Sequence, residues 1–183
     1  MNYYGCTELA ASFRTVRKNT LVIAEEIPEE RYSFRATPDT RTVAQTLVHI
    51  ALGPRFPQQI HFIKHVANLS GFDFPAFFGK VGAEEQTPRS KAEIVEMLRS
   101  DGEKFAQQLE GCSEAFLSER VEYPQGMMPP ARTRFEMLMS AKEHEMHHRG
   151  QLMLTMRLLG MVPPLTREMN ARIAAMQAGK ASA

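Results

Sequence analysis

Residues 135–160, FEMLMSAKEHEMHHRGQLMLTMRLLG, decide the fold. Met137, Ala141, His144, His148, Gln151 and Thr155 recur by threes and fours, so they share one face of a helix. Thr133 and Glu136 form a capping box at its start, each side chain meeting the other's free backbone N–H. Gly160 and the Pro163–Pro164 pair end it. His144 and His148 project from that face about one turn apart, toward the interior rather than solvent. Gly150 is costly in mid-helix, which predicts close approach of another helix there.

Working outward, three more long helices appear. Leu9, Phe13, Val16, Thr20, Ile23 and Ile27 set the first, closed by Pro28. After a loop over residues 29–39, a second opens near Thr40 and runs through TVAQTLVHIAL (42–52), with Leu47, Ile50 and Ala51 on its core face. Gly53, Pro54 and Pro57 interrupt it before QQIHFIKHVANL (58–69) resumes as helix. A capping box from Ser90 to Glu93 starts another, with Ile94, Leu98, Phe105 and Leu109 as its stripe and Gly111 as its stop. Between them, SGFDFPAFFGKVGAEEQT (70–87) loses periodicity. It reads as a long ordered loop, pinned by Phe72, Phe74, Phe77 and Phe78 or serving as an apolar wall or lid over a pocket. Val121 to Tyr123 is the one strand candidate, and a short C-terminal helix carries Met169, Ile173 and Met176. With no repeat and no linker, residues 1–183 read as a single all-α domain, a four-helix bundle.

Composition narrows the function classes. The chain has 183 residues, 43% hydrophobic and 23% charged, as a soluble globular domain has. Its 22 basic and 21 acidic residues are scattered, so no nucleic-acid or membrane-surface footprint is present. No apolar run is long enough to span a bilayer and no signal-peptide core opens the chain, so a cytoplasmic protein is expected. Cys6 and Cys112 are too few and too far apart for a disulfide framework and read as reduced thiols. Twelve methionines and no tryptophan suggest an adaptable core or a thioether-lined pocket.

Two neutral imidazoles four apart on a helix can reach one divalent ion, which makes His144 and His148 candidate ligands. Gln151 on the same face is placed to fix an imidazole or hold a water from behind. His147 is about 100° around the helix from His148 and flanks the site. Glu145 is a further candidate for the pocket, although it lies off the metal face. His61 and His65 repeat the spacing but have no further ligand near, and read as solvated or rim residues. His49, beside Thr42, Gln45 and Leu52, would on its own be an ordinary buried histidine.

The run EHEMHHRGQLMLTMRLLG resembles the fourth-helix signature of the DinB/YfiT-like superfamily. IPEERYSFRATPDTRTVAQTLVHIA is similar to the other hallmark of that family, a segment leading into a helix with a single histidine. The resemblance covers roughly residues 5–160. It implies an antiparallel four-helix bundle of DinB/YfiT-like type with a three-histidine site. Matched position by position, the ligands are His49, His144 and His148. It also implies a divalent metal (Zn, Ni, Fe or Mn), in some relatives a low-molecular-weight thiol, and often a homodimer.

One rival shares these residues. His144-Glu145-Met146-His147-His148 fits the HExxH pattern of zinc peptidases, and Glu168 stands where a third ligand would. Those enzymes need a sheet whose edge strand binds substrate, and strand signals are nearly nil, so this reading is set aside. Three readings of function stay open. The first is a metal-dependent transferase joining a thiol to a small electrophile in an aromatic-lined pocket, and the second a metal-dependent hydrolase. The third is a non-catalytic stress-response protein that binds metal or ligand.

Overall fold

The computed structural model describes residues 4–181. Helix α1 spans Cys6–Glu26, α2 Val43–Leu52, α5 Lys91–Glu110 and α7 Arg134–Leu158, and these four make the bundle. Helix α3 (Arg55–Pro57) runs into a π-helical turn, Gln58–Ile63, and α4 covers Phe74–Glu85. Helix α6 (Glu114–Ser118) precedes a two-stranded hairpin, β1 (Arg120–Glu122) against β2 (Ala131–Thr133), and α8 (Pro164–Ala181) closes the chain. Among the described residues, no helix is long and apolar enough to cross a membrane.

The capping boxes at Ser90 and Thr133 form as the sequence predicts, and a third one joins Thr42 to Gln45 at the start of α2. Chain direction follows from cross-helix pairs. Arg14 bonds Glu103 and Glu110 while Lys91 reaches the Glu25 carbonyl, so α1 and α5 are antiparallel. His49 meets His144, and the apolar residues after Gly53 meet Met137 further back along α7, so α2 and α7 are the second antiparallel pair. Tyr4 meets Phe135 and Arg17 meets Glu145, so α1 and α7 run in the same direction. The bundle order is therefore up, down, down, up, and His49 faces α7 directly.

Two apolar layers fill the bundle. One gathers Ile23, Ile27, Leu47, Ile50, Ile94, Leu98, Leu152 and Met156; the other gathers Leu9, Phe13, Phe105, Leu109 and Leu138. Between them lies an ion pair excluded from solvent, Arg17 with Glu145, at 4% and 2% side-chain exposure. Arg17 Nε donates to both carboxylate oxygens at 3.0 Å, and Nη1 donates to the Leu98 carbonyl at 2.6 Å. Gly102 leaves room for it: a Cβ there would lie 2.8 Å from Nη1. Such a pair adds little net stability, but losing one partner strands a buried charge.

Four expectations are corrected. The segment expected to be a loop contains α4, capped by Asp73 accepting from the Ala76 N–H, with Pro75 in the first turn. Its phenylalanines pack on one another and on Phe56, which pins α4 to the bundle. Cys6 and Cys112 form a disulfide across 5.9 Å between Cα atoms, because antiparallel packing sets the start of α1 beside the end of α5. Gly150 faces open space, with nothing among the described residues within 4 Å of a Cβ placed on it, so none of their helices approaches there. His61 is buried at 1% exposure, its Nδ1 accepting from Arg134 Nη1 at 2.9 Å, while His65 is exposed and bonds Glu119.

Candidate metal centre

The antiparallel pairing of α2 and α7 sets one histidine of α2 opposite two of α7. His49, His144 and His148 offer ring nitrogens that all lie within 4.8 Å of one another, and His49 Nε2 faces His144 Nε2 at 3.0 Å. The rings form a near-equilateral triangle with centroid separations of 4.8, 4.5 and 4.5 Å. Tetrahedral bonds of the length imidazoles make to zinc set ligand nitrogens about 3.3 Å apart. The separations here, 3.0 Å for one pair and no more than 4.8 Å for any, are of that order.

The outer nitrogens of His49 and His148 are already committed, which decides the tautomers of those two. His49 Nδ1 donates to Glu85 Oε2 at 2.8 Å, and a carboxylate only accepts, so Nε2 is left as the free lone pair. His148 Nδ1 donates to Gln151 Oε1 at 2.8 Å, and the Gln151 amide donates to His147 Nε2 at 3.1 Å. Gln151 thereby fixes His148, and His147 stands on the exposed shoulder rather than in the cluster. Gly53 admits the third ring: a Cβ on it would fall 2.9 Å from His144 Nδ1.

Electrostatics favour the neutral, ligating form. Burial, with the neighbouring histidines and Arg41 next in effect, holds His144 down to about 4. Burial also lowers His49, helped by Arg41 and opposed by its bond to Glu85. His148 is lowered by burial against the opposing bond from Gln151. All three imidazoles are therefore unprotonated at neutral pH and need lose no proton to take up a cation.

Glu85 is the residue that sequence reasoning missed. It ends α4 at 6% side-chain exposure, and its second oxygen accepts from Arg41 Nε at 2.5 Å. Gln86 accepts from Gln45 at 2.7 Å, so the end of α4 is tied to the start of α2 at two points. The Asp73–Pro75 cap was the available sign of this helix, obscured by Gly79, Gly82 and the aperiodic phenylalanines.

Glu145, expected near the pocket, turns into the core to meet Arg17 and has no part in the cluster. One residue beyond His144 is about 100° around the helix, which takes it off the metal face. That also removes the base an HExxH peptidase requires, and Glu168 pairs with Arg172 out on α8. The aromatic-lined pocket is corrected as well. The cleft beside the histidines, about 680 Å³, has no phenylalanine in its walls. Its walls carry Glu85 and Gln151, which bond two of the histidines, together with Arg35, Asp39, Arg41, Leu154 and Leu158; the three histidines themselves do not line it.

A family model described as the DinB family matches residues 1–178. No curated protein matches the chain in sequence. Among solved structures, a DinB-like protein from Bacillus subtilis superposes with a TM-score of 0.62 at 21% identity, over 85% of this chain and 93% of that one. A DinB-like protein from Bacillus cereus gives 0.64 at 19% identity, over 86% and 94%. At these identities the likeness is one of fold.

Proposed function

The chain belongs to the DinB family, and from that premise we propose that it is a metal-dependent S-transferase, joining a low-molecular-weight thiol to a small electrophile. The observation that carries this reading is the junction of cluster and cleft. Glu85 and Gln151, which bond the outer nitrogens of His49 and His148, also line the 680 Å³ cavity, so the cluster adjoins a space of small-molecule size through these two side chains. Three protein ligands with a position left over are the pattern of catalytic rather than structural sites.

His49, His144 and His148 would hold a divalent ion, with zinc the ion best matched to a thiol ligand. Such an ion lowers the pKa of a thiol or water bound to it. Thiols start near 8.5 and need little help to ionise at neutral pH, so no separate protein base is required. Hydrolysis draws less support for the same reason. The carboxylate nearest the histidines, Glu85, has one oxygen on Arg41 and the other on His49, which leaves it poorly placed to take a proton from water.

The test is to incubate zinc-loaded protein with pairs of physiological thiols and electrophiles and follow thioether formation. The reading expects acceleration over the metal-free protein with at least one pair. Equal rates with and without metal across several thiols overturn it, and tight ligand binding without turnover supports a sensor instead.

A further inference from the structure

We infer that a metal ion on the three histidines holds the second half of α4 in its docked position, and with it a wall shared by two cavities. The inference rests on reading His49, His144 and His148 as a metal centre, and not on the reaction proposed for that centre.

The second half of α4 is a weak helix. Gly79 and Gly82 lie within it, and among the described residues a Cβ on either meets nothing within 4 Å, so neither glycine serves close packing. Each lowers helix formation roughly fivefold relative to alanine. Of the twelve residues of α4, Glu85 alone is buried. The first half is pinned by its phenylalanines to Phe56. Beyond Val81, which touches the core, the second half is held by polar ties. Glu84 pairs with Arg55, Gln86 accepts from Gln45 at 2.7 Å, and Glu85 joins Arg41 and His49.

Of these ties, the one from Glu85 leads to the cluster. His49 Nδ1 donates to Glu85 Oε2 at 2.8 Å, which leaves Nε2 as the ligand atom. A cation on Nε2 draws electron density from the ring and makes the Nδ1–H a stronger donor, and it attracts the carboxylate directly. Both effects require Glu85 in place, so a bound ion favours the docked helix. Linkage makes the effect mutual: whatever factor Glu85 contributes to metal affinity, the metal returns to the docking of α4. For a group that orients a ligating histidine, that factor is about 10–100.

Docking also shapes the space around the centre. Glu85 and Gln86 line both the 680 Å³ cleft and a second cavity of about 440 Å³ that reaches Tyr32, Val48 and Ile94. Undocking the end of α4 removes this shared wall. The cleft is therefore completed by metal uptake, which sets the order of binding as metal first and small molecule second.

Hydrogen–deuterium exchange read by mass spectrometry, on metal-free and on zinc-saturated protein, tests this. Amides of residues 79–86 should be about 10–100-fold better protected with zinc, and those of residues 72–78 and of α5 should change less over the same labelling times. In Glu85→Ala at saturating zinc, the ratio of protection with and without metal should fall close to one. Glu84→Gln removes a tie that does not reach the cluster, so it should lower protection in both states and keep the ratio. Zinc that binds without protecting residues 79–86 overturns the inference and leaves the metal centre standing. A zinc effect that survives Glu85→Ala, or one equal over every helix, overturns it too. A protein that binds no zinc overturns the inference and the metal centre together.

Discussion

Gly53→Ala separates metal binding from folding, because the added methyl meets the ring of a ligand most closely, and otherwise only the Ile50 carbonyl at 3.2 Å, one turn back in the same helix. A Cβ on Gly53 lies 2.9 Å from Nδ1 and 3.2 Å from Cε1 of His144. Unstrained contacts of this kind begin at about 3.5 Å, so the ring must retreat by roughly half an ångström. Metal–ligand distances hold to about 0.2 Å, so that retreat exceeds what the centre tolerates. Disturbing a group that orients a metal-ligating histidine typically costs about 10–100-fold in affinity. The backbone gives no reason for a folding defect, since Gly53 sits at φ −49 and ψ −43, a conformation alanine adopts readily. Helix propensity adds at most about 1 kcal/mol in favour of alanine. Metal-free wild type and Gly53→Ala are compared by thermal melting, and their zinc affinities by competition with a chromophoric chelator. The expected result is a melting temperature equal or slightly raised, with zinc bound about 10–100-fold more weakly. Unchanged affinity would refute the placement of His144 against Gly53, and a loss of stability would refute the claim that the methyl is felt only by the metal centre.

Glu85→Ala leaves His49 Nδ1 and Arg41 without their shared partner and should weaken zinc about 10–100-fold by calorimetry. Glu85→Gln, whose amide oxygen can still accept from Nδ1, should lose less. Glu145→Ala strands Arg17 in the core and should cost about 3–5 kcal/mol in urea unfolding, with metal stoichiometry of the folded protein unchanged. Acid should destabilise the metal-free protein early. His144 at about 4 and His61 at about 3 both lie below the ordinary 6.5, so between those limits the unfolded chain binds more protons than the folded one. Their contribution is whole above pH 6.5 and is lost as pH falls toward 3, which denaturant midpoints across that range would follow.

Much of this was legible in the sequence where one helix carries its own signal. The face shared by His144, His148 and Gln151 is a property of α7 alone, and the boxes at Ser90 and Thr133 mark helix starts by local chemistry. What crosses between elements was not legible. Glu85 reaches His49 only because α4 folds back onto the start of α2, and Cys6 meets Cys112 only because α1 and α5 are antiparallel. Gly150 shows the opposite error, a propensity cost with no contact behind it, while Gly53, read as a helix breaker, is where the close approach occurs. Glu145 beside His144 looked functional by proximity in sequence, yet the rotation per residue carries it into the core.

The central claim is that His49, His144 and His148 hold one divalent ion between α2 and α7. Elemental analysis of protein purified without a histidine tag, as wild type and as His49→Ala, tests it most directly. The account predicts about one equivalent of metal per wild-type chain and loss of most of it in the folded variant. Stoichiometric metal retained by His49→Ala would contradict it, as would a wild-type protein that takes up none when zinc is supplied.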